Sequence, residues 1–74
     1  MTKLPVVSGE ECIKALHKLG YITSRVRGSH VWLVCRGRSP VPVPNHHYLG
    51  PGLLRKIIRM ADISVDEFVE LLKK

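Results

Sequence analysis

The repeat of apolar and polar positions changes along the chain, and each change marks an element. Cys12, Ile13, Ala15, Leu16 and Leu19 fall on one helical stripe, with Glu11, Lys14, His17 and Lys18 outside it. Ser8-Gly9-Glu10-Glu11 ahead of that stripe has the form of a capping box: the serine hydroxyl accepts from the backbone N–H three residues on, and Glu11 reaches back. Gly20 stops the helix. Residues 21–27 are rich in β-branched and aromatic side chains and predict a strand, and Gly28-Ser29 is a tight turn. Residues 30–36 (His-Val-Trp-Leu-Val-Cys-Arg) form the most strand-like segment of the chain, and Gly37-Arg38-Ser39-Pro40 reads as a second turn. Val41-Pro42-Val43-Pro44 is extended, but its prolines have no N–H for a ladder, so it belongs at an edge or pairs on one side only.

Residues 45–52 read as a loop, and helical spacing returns over residues 53–61, with Leu54, Ile57, Ile58 and Ala61 on one face. A second capping box, Ser64-Val65-Asp66-Glu67, opens a last helix with Val65, Phe68, Val69 and Leu72 inward. The expected order is a helix, three antiparallel strands and a C-terminal helix in two short pieces. One face of such a sheet is left for helices to cover. This is an α+β layout, like the double-stranded-RNA-binding domain in outline, with residues 1–74 as one domain. No run approaches the roughly 20 apolar residues of a membrane span, and the first residues lack a secretion signal, so the expected location is the cytoplasm.

Charge adds a direction. The 74 residues carry 12 Lys and Arg against 6 Asp and Glu, a net +6. The acids are Glu10 and Glu11 and then Asp62, Asp66, Glu67 and Glu70, so the middle of the chain is purely basic. A basic middle points to a polyanion, and nucleic acid is the natural one. Cys12 and Cys35 have no CxxC-like spacing and read as small core residues rather than metal ligands. The missing central carboxylates also leave nothing to hold Mg²⁺ for a metal-dependent nuclease, so no cofactor is expected.

Of the four histidines, His17 lies on the polar face of the first helix and reads as a surface residue. His46 and His47 are neighbours in a loop and would point opposite ways in extended backbone. His30 follows Gly28-Ser29 at the start of a strand, with Arg25 and Arg27 on one face of the strand before it. A small-residue turn lets a phosphate backbone approach. Two guanidiniums grip phosphate oxygens, and an imidazole moves protons near neutral pH. These are the parts needed to cleave RNA through internal attack by its 2′-OH. Arg36, Arg38, Arg55 and Arg59 are looser candidates for phosphate contacts. Two other readings fit the chain: a non-catalytic RNA-binding module, and an adaptor that docks a protein through an apolar strand edge or the final helix.

Several short motifs occur in a distinctive order: Ser8-Gly9-x-Glu11, Leu19-Gly20-Tyr21, Arg27-Gly28-Ser29-His30, Val43-Pro44-Asn45-His46, Pro51-Gly52 with Leu54-Arg55-Lys56-Ile57, and Ala61-Asp62-Ile63-Ser64 before Glu67-Phe68. Together they resemble the HicA toxins of toxin–antitoxin pairs. The resemblance implies an mRNA-cleaving endoribonuclease with His30 catalytic and a HicB-type antitoxin covering the site. Arg25, Arg27, Gly28 and Ser29 are the expected RNA contacts, and the free toxin is expected to be a monomer. The chain departs from the family pattern at Leu53, where a hydroxyl residue is common, at Tyr48-Leu49-Gly50, and in the apolar run Trp32-Leu33-Val34.

Overall fold

The structure, a computed structural model, describes residues 3–74. The first capping box is formed. Glu11 N donates to the Ser8 hydroxyl at 3.1 Å and Ser8 N to the Glu11 carboxylate at 2.9 Å, which opens helix α1 at Gly9–Leu19. The meander follows as β1 (Ile22–Arg27), β2 (His30–Cys35) and β3 (Arg38–Pro44), antiparallel in the order β1-β2-β3. Helices α2 (Pro51–Met60) and α3 (Val65–Lys73) complete the chain, and the second capping box, between Ser64 and Glu67, opens α3. The expected α+β layout, like a double-stranded-RNA-binding domain, is therefore present.

The elements differ from the sequence expectation in a few places. β1 begins at Ile22, because Tyr21 turns inward: it is buried and its hydroxyl donates to the Ser39 carbonyl at 2.8 Å. Burial is the main cause that pushes its phenol above the ordinary value. β3 starts at Arg38 rather than Val41, since the turn needs only Arg36 and Gly37. α2 starts at Pro51, where a missing N–H costs nothing in a first turn. In α3 the buried residues are Phe68 and Leu71, with Val69 only partly covered.

The core fills the space between one face of the sheet and the helices. Val31, Leu33, Val41 and Val43 supply the strand side, and Cys12, Leu16, Leu54, Ile57 and Phe68 are among the helix side. Cys12 has no exposed surface, and burial pushes its thiol up to about 12. Both cysteines are free. Gly9 explains how α1 meets the sheet: a Cβ there would collide with the Pro44 carbonyl, and without one Gly9 N donates to His46 O at 2.8 Å. No helix among the described residues is long and apolar enough to cross a membrane.

Coverage of the sheet is uneven. β3 and β2 lie under the helices, whereas every residue of β1 is exposed. Val26 points to the covered side, opposite buried Val31, yet stays 61% exposed, because among the described residues no helix covers that end of β1.

Candidate nucleic-acid interface

The site is built on one hairpin. Gly28 and Ser29 join β1 to β2, and Gly28 has φ +57°, the left-handed backbone that a tight hairpin turn requires at its first position. This turn fixes the register: Arg27 faces His30, Val26 faces Val31, and Arg25 faces Trp32. Directly opposed residues share a face. Val31 is buried toward the helices, so Arg25, Arg27, His30 and Trp32 all stand on the other, uncovered face. They line a shallow cavity of about 310 Å³.

The bulge in β1 falls between Thr23 and Arg25, ahead of the site. It places Thr23 on the covered side, where His17 Nε2 lies 3.2 Å from its hydroxyl. β2 runs without interruption from His30 to Trp32, so the two remain on one face. The Arg25 guanidinium carbon sits 5.5 Å from the Trp32 ring centroid, a cation–π contact. Ion pairs join Glu10 to Lys14 and Glu70 to Lys73, both on helices; among the described residues no carboxylate pairs with Arg25 or Arg27. These guanidiniums are therefore available to an anion from outside.

The remaining candidates separate. Gly28 and Ser29 form the exposed turn at the end of the cavity, and nothing lies within 4 Å of where a Gly28 side chain would be. Asn45 N donates to Ser29 O at 2.6 Å, which extends the β2–β3 pairing to the turn and fixes its position. His46 and His47 are exposed on the next stretch of chain, and neither lines the cavity. Arg38 is not a free phosphate contact: its guanidinium donates to Ala61 O at 2.6 Å and Asp62 O at 3.3 Å, closing the end of α2. Arg36, Arg55 and Arg59 are exposed. The residue that sequence reasoning left unplaced is Trp32. The period-two signal was there, since Trp32 stands two positions from His30 in one strand.

A larger cleft, about 460 Å³, lies between α1 and α3. Its charged lining mixes Lys18 and Lys74 with Asp66, Glu67 and Glu70, which does not suit a polyanion. Among the described residues no group of three or more His, Cys, Asp or Glu converges as a metal site.

No curated protein matches the chain. A family model does: that of the HicA toxin of bacterial toxin–antitoxin pairs, over residues 9–63. The match takes in α1, the sheet with its whole uncovered face, and α2. The chain belongs to the HicA family of toxins from toxin–antitoxin systems.

Proposed function

We propose that the protein is an endoribonuclease that cleaves mRNA without a metal ion, with His30 acting on the scissile phosphodiester. The observation that carries this reading is the shared open face of Arg25, Arg27 and His30, with Arg27 directly across from the histidine. Phosphate oxygens bind the two guanidiniums, and the compact Gly28-Ser29 turn lets the backbone come close. The nucleophile is the RNA's own 2′-OH. His30 takes its proton or gives one to the departing 5′ oxygen, a role worth about 10²–10⁴-fold in rate. Arg25 and Arg27 stabilise the charge that builds on the phosphorane. Among the described residues no carboxylate lines the cavity to hold a divalent cation, which favours this route over a metal-activated water.

The family supplies the biological setting of a toxin paired with an antitoxin. The matching antitoxin here is of the HicB type and covers the His30 face with an acidic surface, since that face is basic. The free toxin is a monomer and works in the cytoplasm.

The test compares wild type with His30→Ala, both shown to be folded, on RNA in EDTA and on cell growth. Wild type is expected to cut RNA in the chelator, leaving 2′,3′-cyclic phosphate ends. The variant is expected to be at least about 100-fold slower. Equal cleavage by both would move the catalyst to His46 or His47. RNA binding with no cleavage by wild type would favour the non-catalytic RNA-binding module, which the same basic face supports.

A further inference from the structure

The uncovered sheet face carries a large aromatic side chain, Trp32, the single tryptophan of the chain. A small domain usually gains most from an indole by burying it. Here the core closes without it, and Trp32 is left partly exposed. Its neighbours across the strands are Arg25 on β1 and Pro42 on β3. It stands about 7 Å along the strand from His30, the rise of two residues, and both bound the same cavity. An aromatic side chain flanked by unpaired arginines on an open sheet is the composition of platforms that bind single-stranded nucleic acid. The ring takes a base, and the cations take the backbone.

We propose that Trp32 stacks the unpaired base of the nucleotide next to the phosphate on which His30 acts, so that this face selects single-stranded RNA over duplex. The inference rests on the RNA-cleaving reading above. The cavity is bounded at one end by the imidazole and at the other by the indole, so a nucleotide placed for attack at His30 brings its neighbouring base to Trp32. Arg25 lies over the ring and is the cation nearest to it. In a duplex this arrangement is closed off. The bases are stacked on one another and show only their edges, and the A-form grooves offer no base face to an indole on a flat sheet. Trp32 is a positioning residue: it holds the substrate and moves no proton.

The single tryptophan makes the test direct, because indole fluorescence reports this side chain alone. Full-length His30→Ala protein, which leaves RNA intact, is titrated with a short unstructured RNA, with copies carrying one abasic nucleotide at successive positions, and with an RNA duplex. Binding is read separately from the anisotropy of a dye on the RNA. The single strand is expected to quench Trp32, and one abasic position is expected to abolish the quench. The duplex binds through charge without quenching. Trp32→Ala on the same background weakens single-strand binding by about 5- to 150-fold and leaves duplex binding unchanged, and Trp32→Phe restores most of the loss.

Single-strand binding with an unmoved indole and no abasic effect overturns the platform and leaves the RNA reading standing. If Trp32→Ala does not fold, the quench and abasic arms decide, since both use the native tryptophan. A folded protein that binds no RNA, or an indole that responds only to an acidic protein partner, overturns the platform and the RNA reading together.

Discussion

The two faces of the sheet are made from alternate residues of the same strands and meet opposite fates. On β2, Val31 and Leu33 go under the helices, while His30 and Trp32 stand in the open. The covered face is apolar where the helices bury it, with Val31, Leu33, Val41 and Val43. The open face gathers two arginines, a histidine and a tryptophan within a single hairpin. Stability and chemistry are thereby assigned to different sets of side chains, one residue apart, by the period of the strand. A substitution on one face should leave the property of the other nearly untouched.

The strongest challenge to this division is Leu33→Ala. Leu33 has no exposed surface, and its truncation should destabilise the fold by about 2–5 kcal/mol in urea unfolding. What folded protein remains should keep its affinity for RNA, whereas His30→Ala should keep its stability and lose cleavage. A proportionate loss of affinity in the folded fraction would show that the faces are coupled.

The two arginines Arg27 and Arg38 sharpen the contrast, because they share chemistry but not surroundings. Arg38→Ala removes charged hydrogen bonds to the end of α2 and should cost about 1.5–3 kcal/mol of stability. Arg27→Ala should move stability by no more than about 0.5 kcal/mol. It should instead lower the salt dependence of RNA binding by about one phosphate contact. Interchanged results from melting and salt titration would reverse the assignment.

A last expected effect, confined to alkaline solution, comes from pH. Burial pushes the Cys12 thiol from 9.0 up to about 12. The fold favours the protonated thiol, so its contribution is present below pH 9 and is lost as pH rises toward 12. Between pH 9 and 10 the wild type should lose about 1 kcal/mol more than Cys12→Ala in urea titrations. Parallel losses would mean that the thiol is not shielded.

Much of this division was legible in the sequence. Both capping boxes announce their helices, and the two-residue turn at Gly28-Ser29 with alternating apolar positions puts Arg25, Arg27 and His30 on one face. Other features depend on partners far along the chain. Arg38 looks like any basic turn residue until α2 ends 23 residues later beneath it. Pro51 reads as loop punctuation, although proline fits a first helical turn. That Val26 would be left exposed opposite a buried valine follows from how far the helices extend across the sheet, which local pattern does not encode. Alternation puts Trp32 with His30 only if no bulge intervenes, and its contact with Arg25 needs the register that the turn sets.

The bulge in β1 also bears on how such a hairpin can be inherited. Thr23 and Arg25 are two positions apart and would share a face in a regular strand, yet Thr23 opposes Leu33 and Arg25 opposes Trp32. The strand thus carries one extra residue, which absorbs the change of face between Thr23 and Arg25, while the phase of Arg25, Val26 and Arg27 is set from the turn. Losing Ser24 would only make the strand regular, with Thr23 still opposite Leu33 and Arg25 opposite Trp32; a residue lost or gained between Arg25 and Trp32, the Gly28-Ser29 turn included, would instead turn Arg25 under the helices or break its pairing with Trp32. Descendants of this gene can drift in the letters of the hairpin far more freely than in its length, so insertions and deletions should accumulate elsewhere in the chain while residues 25–32 keep their count.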